Sequence, residues 1–185
     1  DQKVITLSRR LPDAERLAWA DKLLANMKGR RPKTRPEVYA EQARFIDDNP
    51  TEKLVLQTLR IGDLGITTLP NEVYSITGLK LKAHSPFSAT FNIELANGAA
   101  GYIPPPHQHE LGGYTTWPAR TAGLEVSAEP KIVETLLSSL ESLAGKPRRA
   151  PAVTHGAYAK AVLAHKPLAY WRCEEFEGGR LADAS

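Results

Sequence analysis

The chain is poor in the residues that would give it an obvious chemical identity. It has a single cysteine, Cys173, among 185 residues, which excludes an internal disulfide framework and a multi-cysteine zinc site. No run approaches the ~18 apolar residues of a membrane span. No signal-peptide pattern is visible either, though in a chain that starts at Asp1 this fixes no compartment. There is no Gly-x-Ser-x-Gly elbow, no phosphate loop and no dinucleotide fingerprint. Charge of one sign is also scarce: the net charge is +3 with 24% charged residues. The densest basic stretches, residues 28–35 and 146–149, read as solvated connectors rather than a nucleic-acid surface. A hydrophobic fraction of 42% is that of an ordinary globular core and argues against disorder.

What is present is a mixed α/β pattern up to Ala144, with antiparallel elements expected and no regular βαβ alternation. VITLSRR reads as a strand or extended arm. Pro12 and Asp13 then open a helix whose apolar positions Leu17, Ala20, Leu24 and Met27 recur at helical spacing, and Gly29 stops it. A second helix is predicted over 37–47, with Tyr39, Ala43 and Ile46 on one side. Two strands, 54–61 and 64–69, flank a Gly62-Asp63 turn and form a hairpin. A helix is expected over 72–83, then a strand in which Phe91, Ile93 and Leu95 alternate with Asn92, Glu94 and Ala96. Residues 121–126 read as a short strand. Residues 127–144 are the strongest helix, with a wide apolar stripe through Ile132, Leu136 and Leu140 and a stop at Gly145 and Pro147. GKPRRAP has the composition of a linker, and a new unit begins near Tyr158.

Two segments carry more than packing asks for. In LPNE, Pro70 fixes a turn after a strand and delivers Glu72 to the start of the expected helix, where the helix dipole favours a carboxylate. On pattern alone Glu72 reads as decoration of a first helical turn. The stretch 97–114 reads as a long irregular loop, with glycines that allow close backbone approach, three stiffening prolines (Pro104 to Pro106), and Tyr102 and Tyr114 within it and at its end. It also carries His107 and His109, a His-x-His pair beside Glu110, which would share a face in a strand and offers an alternative metal site. His84, His155 and His165 are isolated.

The run IGDLGITTLPNEVYSITGLKLKAHSPFSATFNIELANGAAGYIPPPHQHELGGYTTW resembles the C-terminal half of the neutral/alkaline non-lysosomal ceramidase catalytic domain. A Pro-x-Glu turn, a strand ending in Asn and small residues, and two tyrosines twelve apart follow in the same order. The resemblance spans residues 4–143 and is strongest over 61–114. It implies a zinc-dependent hydrolase of N-acyl amide bonds in ceramide-like lipids, with zinc-activated water attacking the amide carbonyl. It implies Glu72 and Tyr102 as zinc ligands and Tyr114 as a catalytic tyrosine that binds the amide or its oxyanion. The family's two histidine ligands have no counterpart among the five histidines here and are expected outside this chain, so the segment alone is expected to be inactive.

The tail YAKAVLAHKPLAYWRCEEFEGGRLADAS is similar to the start of a laminin-G or concanavalin-A-like lectin domain, with Tyr170 and Trp171 as strand residues and a glycine-containing turn after them. The division implied is 1–145 for the C-terminal part of the hydrolase domain, 146–157 for a linker and 158–185 for a truncated β-sandwich start. The implied partners are an N-acyl amide lipid, a membrane surface and, through the tail, carbohydrate, with no nucleic acid. The implied location is secreted, cell-surface or periplasmic. The alternative is a non-catalytic cell-surface or carbohydrate-binding protein on the same scaffold.

Overall fold

A computed structural model describes residues 1–150, 156–173 and 183. The elements in order are β1 (Gln2–Ser8), α1 (Ala14–Met27), α2 (Arg35–Asp48), β2 (Thr51–Ile61), β3 (Leu64–Thr68), β4 (Glu72–Val73), α3 (Ser75–His84), β5 (Ala89–Ile93), β6 (Tyr102–Ile103), α4 (Pro106–Leu111), α5 (Ala128–Ala144) and α6 (Ala157–Ala164). A 3-10 turn covers Tyr114–Thr116. The fold is mixed α/β.

Four strands form one sheet in the order β1-β2-β3-β5. The first two junctions are antiparallel, with Val4 opposite Val55 and Leu59 opposite Ile66. The β3–β5 junction is parallel, because α3 carries the chain back to the same end of the sheet before β5 starts. One face of the sheet is covered. Leu7, Leu54 and Leu56 from the strands pack with Phe87 and with Ile132, Leu136 and Leu140 of α5 in a single core. Close approach has a visible requirement at Gly65: a Cβ there would lie 2.7 Å from the Phe87 ring and 3.2 Å from Leu140.

The apolar side of β5 faces the other way. Phe91 and Ile93 lie on the open face with Val4 and Leu59, while Asn92 on the covered side accepts a 2.9 Å hydrogen bond from Thr67 Oγ1. Alternation in β5 therefore identifies two faces, but a polar pair occupies the inner one.

Local chemistry explains the helix ends. Asp13 caps α1 by accepting from the Arg16 N–H at 2.7 Å, and Thr34 with Glu37 forms a reciprocal capping box at the start of α2. Gly145, left-handed, ends α5. The α3 and α5 helices are joined by a buried pair, Lys80 Nζ donating to both Glu129 oxygens at 3.1 and 3.2 Å, with Thr77 Oγ1 donating to Glu129 at 3.0 Å.

Several sequence expectations change. The helix expected from Glu72 starts at Ser75, because Glu72 and Val73 pair as a strand first. The stretch 97–114 contains β6 and α4 rather than being wholly irregular. Residues 121–126 form no strand; Leu124 makes only an isolated bridge to Arg9. The basic stretch after α5 is anchored: Arg149 donates through its backbone N–H and guanidinium to carbonyls of His84, Ser85 and Lys82 at the end of α3, and Arg148 pairs with Glu134 and Glu141 of α5. Beyond it, residues near Tyr158 form α6. Trp171 is 56% exposed and bridges Asp183, and the Tyr170 N–H donates to the Asp183 carboxylate. The glycine-containing turn of the tail and His155 lie outside the described residues.

Candidate functional site

Glu72 and Tyr102, thirty positions apart, are brought side by side by the smaller of the two sheets among the described residues. Strands β4 and β6 pair in parallel with Glu72 opposite Tyr102 and Val73 opposite Ile103. Alternation separates their roles: Val73 and Ile103 pack into the main core, so Glu72 and Tyr102 project to the other side.

The turn that sets this register is held by backbone contacts. The Glu72 N–H donates to the Gly101 carbonyl at 3.1 Å, and the Asn71 side-chain amide donates to the same oxygen at 3.3 Å. The Ala100 N–H donates to the Pro70 carbonyl at 2.6 Å, and the Tyr102 N–H to the Thr121 carbonyl at 2.8 Å. Gly101 has φ +81°, and a Cβ on it would sit 2.4 Å from the Thr121 oxygen, so only glycine fits.

Tyr114 reaches the same place from the 3-10 turn. Its ring stands edge-on to the Tyr102 ring, with centroids 5.4 Å apart and planes at 90°. The turn is fixed from behind by Arg10, which donates to the Thr116 carbonyl at 2.7 Å, and from the side by a 2.8 Å hydrogen bond between the Tyr74 and Thr115 hydroxyls. Glu72, Tyr102 and Tyr114 line one open depression of about 370 Å³, together with Tyr74, Glu94 and Gln108. Sequence reasoning missed those last three. Tyr74 stands two residues beyond Glu72, a strand-face spacing that only becomes meaningful once β4 is recognised.

Glu72 perturbs the phenol beside it. The Glu72 charge, and after it the neighbouring Tyr114 hydroxyl, push the Tyr102 phenol above its ordinary value and keep it protonated. A cation between Glu72 and Tyr102 would invert that relation by neutralising the carboxylate and stabilising a phenolate. Zinc accepts carboxylate oxygens of the kind Glu72 would offer, and commonly takes four ligands. Among the described residues no three of His, Cys, Asp and Glu gather around a point.

The His107–His109 alternative loses its geometry. The two lie on α4, where a two-residue step turns the side chains by about 200°, away from a common ligand. His107 is exposed. His109 is partly buried, with Nδ1 unpartnered, and burial and then the Arg10 charge lower its pKa.

No family model matches the chain, and no curated protein does. Among solved structures it is similar to one described as a ceramidase complexed with C2, at 14% identity and a TM-score of 0.44. The match covers 55% of this chain and 17% of that one, so the chain spans a small part of that protein's length.

Proposed function

We propose that this chain supplies half of a zinc site in a hydrolase of N-acyl amide bonds, with Glu72 and Tyr102 as metal ligands and Tyr114 as a hydrogen-bond donor to the reacting carbonyl. The observation that carries the reading is the parallel pairing of Glu72 with Tyr102. It sets an anionic oxygen beside a phenolic one on a rigid two-strand platform, with a second phenol edge-on to the first. The sequence resemblance supports the same three residues in the same roles. The two imidazoles that complete the shell come from a segment outside this chain.

When bound, zinc supplies Lewis-acid activation of an amide carbonyl and of water. The chain's own residues do the rest. Glu72 and Tyr102 fix the position of the metal through the β4–β6 register. Tyr114, which is 64% exposed, presents its hydroxyl to a ligand in the depression, where a neutral phenol can donate to developing negative charge. The open depression admits a polar headgroup and amide more readily than a buried chain.

The test uses zinc with free imidazole, which substitutes for the absent histidines. Ionisation of Tyr102 on zinc uptake gives a tyrosinate difference spectrum. The expected result is a zinc-dependent signal that needs imidazole, disappears in Tyr102→Phe and Glu72→Ala, and persists in Tyr114→Phe. In a longer protein carrying the histidines, Glu72→Ala loses zinc and amide hydrolysis together, while Tyr114→Phe lowers turnover and keeps the metal. Retained hydrolysis in Glu72→Ala would sink the assignment. Zinc uptake that never involves Tyr102, with no hydrolysis, would favour a non-catalytic scaffold.

A further inference from the structure

A second cavity lies apart from the depression around Glu72. It is a groove of about 650 Å³ between the start of α1, the length of α2 and the 117–118 segment. Its floor is apolar: Ala43 and Ile46 of α2, Leu11 and Pro118. Tyr39 and Trp117 form an aromatic wall, edge to face with centroids 6.1 Å apart. Arg35 and Ile46 mark its extent along α2, which helical rise puts at about 16 Å.

Its charge is one-sided. Arg10, Arg16 and Arg35 line it, against one carboxylate, Asp13, which already accepts from the Arg16 N–H as the cap of α1. The Arg10 guanidinium is used by the protein itself, donating to the carbonyls of Leu124, Thr116 and Ala122 at 3.1, 2.7 and 2.5 Å. The other two guanidiniums are not. Arg16 stacks on Trp19 at 3.8 Å and Arg35 lies over Trp117 at 5.8 Å; among the described residues neither has a carboxylate within salt-bridge range. Stacking occupies the face of a guanidinium and leaves its N–H edge free for an oxyanion. A cavity of about 500 Å³ lined mainly by α3 and α5 contrasts with this. There Lys80 is paired with Glu129, and Arg148 with Glu134 and Glu141.

We infer that this groove binds a small anionic amphiphile, its aromatic or apolar body lying along Tyr39, Ile46 and Trp117 and its carboxylate or sulfonate held by Arg16 or Arg35. The volume lies within the range of small-molecule sites, and the combination of an apolar floor with a few convergent polar groups is the pattern such sites share. The site is separate from the Glu72–Tyr102 depression and stands whether or not that depression binds zinc.

The probe is anilinonaphthalene sulfonate, followed by its fluorescence on titration into the full chain, with the uncharged N-phenylnaphthylamine as its partner. The wild-type chain should bind the sulfonate saturably, one to one, and at least about tenfold more tightly than the neutral probe, the expected contribution of one charged hydrogen bond. Arg16→Glu combined with Arg35→Glu, both on exposed positions, should remove that preference without changing the far-ultraviolet circular dichroism. Trp117→Ala should weaken both probes. Equal affinity of the wild type for the two probes overturns the inference with no variant needed. So does sulfonate binding that survives the double charge reversal, or that is lost instead in Phe91→Gln on the open face of the sheet.

Discussion

Replacing Gly101 with alanine tests the platform on which Glu72 and Tyr102 stand. The backbone at Gly101 has φ +81°, and the new Cβ would meet the Thr121 oxygen, carbon and Cα at 2.4, 2.5 and 2.8 Å. These are backbone atoms, so relief requires the two segments to part. The left-handed conformation costs a non-glycine residue about 1–2 kcal/mol. Separation weakens the Tyr102-to-Thr121 hydrogen bond and the two that converge on the Gly101 carbonyl, at about 1 kcal/mol each. The sum is about 4–5 kcal/mol, a large part of the 5–15 kcal/mol typical of a domain. For a chain of this size it corresponds to a fall in Tm of about 8–20 °C. Gly62→Ala is the matched control. Its φ is +62°, but nothing lies within 4 Å of the added Cβ, so only the conformational cost of about 1–2 kcal/mol applies. Differential scanning calorimetry of both variants decides the matter. Equal losses would refute the claim that the Gly101–Thr121 contact fixes the site.

Three further outcomes follow from contacts elsewhere. Glu129→Ala strips the buried Lys80 of its partner and should destabilise by about 3–5 kcal/mol in urea unfolding, whereas Glu129→Leu with Lys80→Met should recover most of that loss; equal instability of the two would contradict it. Glu141 is held down to about 2 by hydrogen bonds from the Arg148 side chain and backbone N–H, and Glu37 to about 2 by Arg30 and then the Lys33 N–H. Both folded-state values lie below the unfolded one, so this stability is complete above about pH 4.5 and drains away as pH falls toward 2; the urea midpoint should drop across that window, and Glu141→Gln should flatten part of the slope. On the open sheet face, Leu59→Lys with Phe91→Gln should reduce concentration-dependent self-association in light scattering while leaving Tm within about 2 °C, because the two residues are already 46% and 42% exposed.

The parts of the fold that the sequence displays are those governed by local rules. Helices α1, α2 and α5 follow from apolar spacing with Asp13, Pro36 and Gly145 at their ends, and the β2–β3 hairpin from the Gly62-Asp63 turn; the Thr34 capping box emerges only in the structure. Strands β4 and β6 are two residues long and exist only because they pair with each other, so no window of sequence shows them. Helix α4 hides behind Pro104 to Pro106, of which the last becomes its first residue. The inward side of β5 is misleading because Asn92 is matched by Thr67 rather than by an apolar partner. Glu72, Tyr102 and Tyr114 stand in segments that the residue pattern marks, but their roles come only from the resemblance to a family. Tyr74, Glu94 and Gln108 carried no signal at all until the depression they line took shape.

The most direct measurement is an anomalous-scattering map from crystals of the chain soaked with zinc and imidazole. The account predicts a peak about 2 Å from a Glu72 carboxylate oxygen and from the Tyr102 hydroxyl, with imidazole on the remaining positions. A zinc peak at His107 or His109, with Glu72 and Tyr102 left bare, would contradict it.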